Sequence, residues 1–206
     1  GWAEYEKFHN YSSHAQEQKH DLVEKFLNQT GSSVVWDLGA NTGRFSRIAC
    51  QKEITTISFD IDPGAVEINY QRMKEETEQH LLPLVLDLSN PSPGLGWNLD
   101  ERESFFARGP ADTVLGLALI HHLAIGNNVP LPQLASFFAR ICRWLVIEFV
   151  PKNDPQVSKL LQVRADIFPG YNQENFMTVF GSKFDLLVME KITDSERTFF
   201  LFKRKN

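Results

Sequence analysis

The two β-forming runs at the carboxyl end of the sequence lie very close together. Residues 184–191 and 197–203 are rich in β-forming side chains, and only residues 192–196 separate them. A parallel connection needs a crossover of about a dozen residues or more, so this pair must run antiparallel. Earlier in the chain, five β-forming runs alternate with helical patterns, which is typical of a parallel sheet covered on both faces. The sequence therefore predicts an α/β fold with a doubly wound seven-stranded sheet that ends in a hairpin.

The earlier strands are predicted at residues 34–38, 54–59, 84–86, 113–119 and 144–150. Helices are predicted at residues 16–29, 43–51, 63–78, 131–141 and 154–167, with one more ending near residue 180.

The chain has 206 residues, enough to close one hydrophobic core, so we expect a single domain over residues 1–206. Residues 1–33 are expected to form an N-terminal helical segment ahead of the first strand. Residues 89–110, which are rich in Pro and Gly, and residues 151–180 are expected as insertions on the substrate side of the sheet.

The composition argues against several classes of protein. A formal net charge of -5 argues against a nucleic-acid partner, whose binding surfaces are usually basic. No apolar stretch reaches the roughly 18 to 20 residues of a membrane span, and no signal peptide is visible, so we expect a cytoplasmic protein without a membrane partner. Cys50 and Cys142 lack metal-ligand spacing and lie in apolar helical patterns, which predicts buried reduced thiols and no metal site.

The first predicted strand runs directly into a glycine turn, Asp37-Leu38-Gly39-Ala40-Asn41-Thr42-Gly43. Gly39 and Gly43 allow sharp turns and let a ligand approach the backbone. Asp37 is placed at the carboxyl end of the strand, where open α/β sheets bind ligands. Its carboxylate can accept from a ligand ammonium, and the N–H groups that open the next helix can bind a ligand carboxylate. The alternative is a strand exit before a capped helix, with no ligand.

Acidic residues also follow the second and third strands. Asp60 comes about twenty residues after the glycines, where a carboxylate can accept from both ribose hydroxyls of a nucleoside. Ile61 can pack on the adenine face, while Asp62, the rival carboxylate, precedes Pro63 and suits a helix cap.

After the third strand, Asp87 can accept from an adenine amino group and the Leu88 N–H can donate to a ring nitrogen. The alternative for Asp87 is a turn into Ser89. Three successive strands thus end in an acidic residue at the same edge of the sheet, which favours the binding interpretation.

Together, the glycine turn, Asp60 and Asp87 resemble the cofactor motifs of the class I S-adenosylmethionine (SAM) dependent methyltransferases, which have a Rossmann-like fold. The resemblance covers roughly residues 34–204. It implies the sheet order 3-2-1-4-5-7-6 with an antiparallel last strand, helices on both faces, and SAM as the cofactor. Asn41 departs from the small residue or Gly of many members, although it can still bond the methionine carboxylate. The cofactor residues implied are Asp37, Gly39, Asn41, Gly43, Asp60, Ile61, Asp87 and Leu88.

A narrower resemblance joins the chain to a group of bacterial methyltransferases, some of which are nodulation-related. It is carried by residues 90–97, 118–131 and 147–161.

Catalytic residues are harder to predict, because the cofactor is already activated and the protein mainly supplies positioning. His121 and His122 follow the fourth strand, and an imidazole that titrates near neutrality can act as a general base. The alternative is that the pair only supports the cofactor pocket or caps the next helix.

Residues near the acceptor are sought on the same edge of the sheet. Glu148 follows the fifth strand, where it either faces substrate or pairs with a cation. Trp97 can form an apolar wall on a flap, and Arg164 and Tyr171 can line the rim, although Trp97 and Tyr171 suit plain packing equally well.

The segment before the first strand carries Tyr5, Tyr11 and Lys19. Such a segment often covers the cofactor mouth in this fold, which would let Lys19 reach the methionine carboxylate. A Lys on a polar helix face is more often solvated, and we favour that interpretation for Lys19.

The sequence therefore predicts methyl transfer from SAM to a small molecule or a carrier-bound intermediate. An NAD(P)-dependent oxidoreductase is the first alternative, but the turn lacks G-x-G-x-x-G. A non-catalytic methyltransferase-like partner domain is the second, and the intact acidic set argues against it.

Overall fold

The computed structural model describes residues 13–206. The strands in this part of the chain are β1 (Val34–Leu38), β2 (Thr55–Asp60), β3 (Leu81–Val85), β4 (Ala111–Gly116), β5 (Cys142–Phe149), β6 (Phe184–Lys191) and β7 (Thr198–Arg204). They form one seven-stranded sheet in the order β3-β2-β1-β4-β5-β7-β6. Pairing is parallel from β3 to β5, whereas β7 is antiparallel to both β5 and β6. The predicted doubly wound sheet and its order are confirmed.

Helices cover both faces of the sheet. The helices are α1 (Ser13–Thr30), α2 (Ser46–Cys50), α3 (Pro63–Glu75), α4 (Leu131–Ile141), α5 (Pro155–Gln162) and α6 (Gln173–Gly181), with a 3₁₀ turn at Trp97–Leu99 and a π-helix at His122–Gly126. One hydrophobic cluster joins α1 and α2 to the sheet, and a second joins α4 and α6 to the opposite face. Neighbouring residues of β1 show the division, since Val35 faces the first cluster and Trp36 the second.

The interior strands are continuous apolar runs because both of their sides are buried. In β7, four consecutive side chains from Phe199 to Phe202 are buried. Alternate residues of this run pack on opposite faces: Phe199 and Leu201 face α1, whereas Phe200 and Phe202 face α6. Strand β7 therefore completes the core on both faces of the sheet.

Several predicted boundaries differ from the structure by two residues or more, and β3 and α5 show physical reasons for the difference. Strand β3 begins at Leu81 rather than residue 84, and it includes Pro83, which is tolerated because β3 is an edge strand. Helix α5 ends at Gln162 rather than residue 167. The side chains of Val163 and Ile167 are exposed, so their burial does not stabilise a longer helix.

Both cysteines are buried thiols, as expected. Cys50 ends α2 and Cys142 begins β5, and neither takes part in a disulfide. Burial raises the pKa of both thiols, which keeps them protonated.

An aromatic cluster holds α6 against the sheet. Phe176 is fully buried, and its ring lies 4.3 Å from that of Phe180 and 5.1 Å from those of Phe149 and Phe200, measured between centroids. Such pairs stabilise the fold beyond the area they bury.

We expect Phe176→Ala to lower the free energy of unfolding by about 3 to 5 kcal/mol, because it leaves a cavity among rigid neighbours. The measurement is urea unfolding followed by circular dichroism. Leu187→Ala, at a half-exposed position of β6, is the control and should change stability by less than about 1 kcal/mol. Equal losses in the two variants would contradict the assignment of this cluster as the anchor of α6.

Candidate functional site

A cavity of about 360 Å³ opens at the carboxyl ends of the parallel strands. It lies where the chain, after adding β2 and β3 on one side of β1, places β4 on the other. Open α/β sheets bind ligands at this switch of strand order. The lining residues include Asp37 in β1, Asp60 in β2, Asp87 after β3, Leu117–Leu119 after β4, and Lys19 in α1.

The floor of the cavity is the glycine turn after β1. Gly39, Asn41 and Gly43 all have left-handed backbone conformations, with φ of +75°, +50° and +79°. The N–H groups of Gly39 and Ala40 both donate to the Phe59 carbonyl of β2, at 2.9 Å. The turn is therefore fastened to the neighbouring strand, and its backbone passes close to the cavity.

Gly43 lies outside the cavity lining and has a packing role. A Cβ at this position would overlap the side chain of Asn69. Buried Arg47 donates from Nη1 to Asn69 Oδ1 at 2.8 Å and to the Thr42 carbonyl at 2.8 Å. Asn69 in turn donates to Ser58 Oγ at 2.8 Å. Sequence reasoning missed Arg47 and Asn69, because each lies on a helix with no motif to mark it.

Asp37 is a buried carboxylate on the wall of the cavity. Its Oδ2 accepts from Ser46 Oγ at 2.6 Å. Burial raises its pKa to about 7, and the nearby charge of Asp60 acts in the same direction, whereas the bond from Ser46 opposes the rise. A cation placed in the cavity would favour the ionised form of Asp37.

Asp60 organises the turn and faces the cavity at the same time. Its Oδ2 accepts from Asn41 N at 2.7 Å, and its Oδ1 accepts from Asp62 N at 2.9 Å. Each oxygen still has a lone pair for a ligand. Asp62 caps α3 through Gly64 N, at 2.8 Å, and does not line the cavity. Ile61 lines it with 55% of its surface exposed.

Asp87 and Leu88 lie on the same wall. Both the N–H and the hydroxyl of Ser89 donate to Asp87 Oδ1, at 2.8 and 2.6 Å. These bonds lower the pKa of Asp87 and keep it ionised. The local turn considered from sequence is thus present, and Asp87 also lines the cavity.

The two histidines differ in position. His122 lines the cavity, whereas His121 is fully buried and is not part of the lining. Their ring centroids are 4.1 Å apart. Burial, reinforced by the charge of Arg197, lowers the pKa of His122 to about 4. Burial first, and then His122, lower the pKa of His121 well below its ordinary value. Both rings are therefore neutral at pH 7.

A buried cluster of charges lies beside the cavity. Lys19 Nζ is 3.1 Å from both carboxylate oxygens of Glu148. Arg197 Nη1 is 3.4 Å from Glu148 Oε1, and Arg197 Nε and Nη2 bind the carboxylate of Asp154 at 2.6 and 3.0 Å. Burial lowers the pKa of Lys19, and Glu148 opposes this. The solvated interpretation of Lys19 was wrong: it is 5% exposed and lines the cavity.

Arg197 and Asp154 were missed in the sequence. Arg197 had been assigned only to the start of the last strand, yet it precedes β7 and lines the cavity. A charged residue beside an apolar strand was the available signal, but its partner Asp154 is distant in sequence.

The structure places the other predicted acceptor-side residues away from the lining. Trp97 is 83% exposed at its 3₁₀ turn. Tyr171 is buried and donates from its hydroxyl to the Val150 carbonyl at 2.8 Å. Arg164 binds the carbonyls of Ile125 and Gly126 and the Asn128 side chain. Glu148 lies behind the wall formed by Ala118. The predicted residues Tyr5 and Tyr11 lie outside the described residues.

Within residues 13–206, no cluster of three or more His, Cys, Asp or Glu side chains has the arrangement of a metal site. In the same range, no helix combines the length and apolarity needed to cross a membrane.

No protein-family model matches the sequence. It is 38% identical over 204 residues to the nodulation protein NoeA of Rhizobium meliloti (strain 1021). The match covers 98% of this chain but 43% of NoeA, so the chain spans less than half the length of that relative. The resemblance to nodulation-related bacterial proteins is confirmed.

Two solved structures show the same architecture. The N-methyltransferase NodS from Bradyrhizobium japonicum WM9 matches with a TM-score of 0.64 at 12% identity, over 95% of this chain and 99% of NodS. Magnesium protoporphyrin IX methyltransferase (ChlM) from Synechocystis PCC 6803, with bound S-adenosylhomocysteine (SAH), matches with a TM-score of 0.64 at 18% identity, over 93% of this chain and 84% of ChlM. The chain has the fold of the SAM-dependent methyltransferases. The strand order that the family resemblance implied is confirmed with it.

We expect Gly43→Ala to destabilise the protein by about 2 to 4 kcal/mol. The added Cβ both disfavours the left-handed backbone and overlaps the Asn69 side chain, and the two costs add. Gly31→Ala is the matched control: Gly31 also has a positive φ, of +58°, but nothing lies within 4 Å of the added Cβ. The control should lose only about 1 to 2 kcal/mol in urea unfolding. A Gly43 variant no less stable than the Gly31 variant would show that the Asn69 contact does not constrain the turn.

Proposed function

We propose that this chain transfers a methyl group from SAM to an acceptor that is a small molecule or a carrier-bound intermediate. One observation carries the proposal. Carboxylates at the ends of three adjacent strands, Asp37, Asp60 and Asp87, line a single cavity above the glycine turn. The fold shared with NodS and with SAH-bound ChlM supports the same cofactor.

The lining offers partners for the ribose, the adenine and the ammonium of SAM. Asp60 would accept from the ribose hydroxyls while it holds the turn through Asn41 N. Ile61 would cover one adenine face, and Asp87 and Leu88 would bond the adenine edge. Asp37, buried with a raised pKa, would pair with the ammonium of the methionine part. Gly39 and Asn41 would let the turn approach the ligand closely.

SAM, when bound, supplies an activated methyl group on its sulfonium. The chain's own contribution is then to hold the cofactor and acceptor in line and to exclude water. His122 lines the cavity and is neutral at pH 7, so it can orient an acceptor or accept a proton from it. His121, buried behind it, would hold the His122 ring by packing.

We assign the acceptor side to the end of the cavity formed by His122, Leu160 and Arg197. The segments 89–110 and 151–180 adjoin the cavity through Ser89 and Leu160, which supports their role as substrate-side insertions of a single domain. Arg164 would act from outside the lining, by holding the carbonyls at the end of the π-helix.

We expect the chain to bind SAM and SAH, but not NAD, in calorimetric titrations. Asp60→Asn should weaken SAH binding about 10- to 100-fold, because it removes the charge from hydrogen bonds of about 1.5 to 3 kcal/mol. Asp62→Asn is the matched control, since Asp62 also accepts from a backbone N–H but lies outside the lining. Its affinity should stay within about threefold of wild type. Binding of NAD instead of SAH would refute the proposal.

The affinity for SAH should fall as the pH is lowered from about 7.5 to about 5.5. Asp37 has a pKa of about 7 in the free protein, and the ligand ammonium favours its ionised form. Ligand binding must therefore remove a proton below pH 7, which costs up to about tenfold in affinity per pH unit. Calorimetry at several pH values measures this.

Asp37→Asn should weaken binding and flatten this pH profile. Asp185→Asn, on β6 and more than half exposed, should keep the wild-type profile. An unchanged slope in the Asp37 variant would show that another group titrates.

A further inference from the structure

The backbone of Ala118 has an unusual conformation on the cavity wall. Its φ is +48°, in the left-handed region that residues with a Cβ disfavour. Ala118 lines the cavity in the turn after β4, and Leu119 follows it. The Leu119 Cδ1 atom lies 3.2 Å from where a Cβ on Gly39 would be. The conformation at Ala118 therefore places the wall that faces the glycine turn.

Glu148 contacts this backbone from the adjacent strand β5. Its Oε2 accepts from the Ala118 N–H at 2.8 Å. Strands β4 and β5 are parallel, and Gly116 is paired with Ile147, so the end of β5 lies beside the turn after β4. The side chain of Glu148 is fully buried and is not part of the cavity lining.

The carboxylate is itself fixed from two other elements. Lys19 in α1 contacts both oxygens, and Arg197, just before β7, contacts Oε1. Arg197 is anchored in turn by Asp154. A buried carboxylate held by two cations and a backbone N–H is rigid, because moving it would leave buried charges unpaired.

We infer that Glu148 is a positioning residue, which fixes the left-handed backbone of Ala118 and thereby shapes the wall that SAM contacts. The inference rests on the proposed function. It gives Glu148 a role different from direct contact with the acceptor. Lys19 of α1 and Arg197, just before β7, then affect the cavity in two ways: they line it directly, and they fix the carboxylate that sets its wall.

Glu148→Asp tests the inference, because it keeps the negative charge for Lys19 and Arg197 but withdraws the oxygen from Ala118 N by one methylene. We expect SAH binding to weaken about tenfold or more. We also expect the Ala118 carbon chemical shifts, measured by NMR, to leave the left-handed range. Glu190→Asp, the same change in an exposed pair with Lys25, should alter neither.

Ala118→Gly separates positioning from general destabilisation, since Gly adopts positive φ without help. Measured alone, it gives the reference affinity with which the double variant is compared. Combined with Glu148→Asp, it should reduce the tenfold loss to about threefold or less, a coupling that a double-mutant cycle measures. If Glu148→Asp does not fold, Glu148→Gln replaces it, because its amide group cannot serve all three donors.

Equal losses of affinity with and without Ala118→Gly would overturn the inference, as would an Ala118 that stays left-handed in the Glu148 variant. If the wild-type chain bound no SAH, the proposed function would fail instead. The Ala118 chemical shifts would then still decide whether Glu148 sets the backbone.

Discussion

The switch of strand order between β1 and β4 is the constraint on which the site depends. Strands are added first on one side of β1 and then on the other, so helices cannot fill the carboxyl end of the sheet at this point. The glycine turn follows β1 with a backbone that needs positive φ at three positions and leaves the space open. Its hydrogen bonds to Phe59 and to the Asp60 carboxylate fasten it to β2.

Charge is distributed unevenly around this opening. Acidic side chains lie on the side of β1, β2 and β3, whereas Lys19 and Arg197 lie on the other side and are balanced by Glu148 and Asp154 behind the wall. Burial raises the pKa of Asp37 and lowers the pKa of Lys19, which disfavours the charged form of each group. A ligand with an ammonium, a carboxylate and ribose hydroxyls suits such a division.

The two halves of the site differed in how far the sequence predicted them. Asp37, Asp60 and Asp87 follow β-forming runs, and a parallel sheet must bring such strand ends to one edge. Their convergence was therefore predictable. Lys19 lies on a helix and Arg197 in a turn, and their shared partner Glu148 is far from both in sequence. The Lys19 prediction was wrong because sequence pattern cannot show which helix face another element covers.

The sequence by itself determined the alternation of strands and helices, the terminal hairpin and the acidic strand ends, because hydrophobic periodicity and short connections leave few alternatives. Tertiary structure decided which histidine reaches the cavity, where α5 ends, and how Glu148 meets Ala118. These features depend on contacts between residues distant in sequence, and burial sets their energies. A one-dimensional pattern does not contain that information.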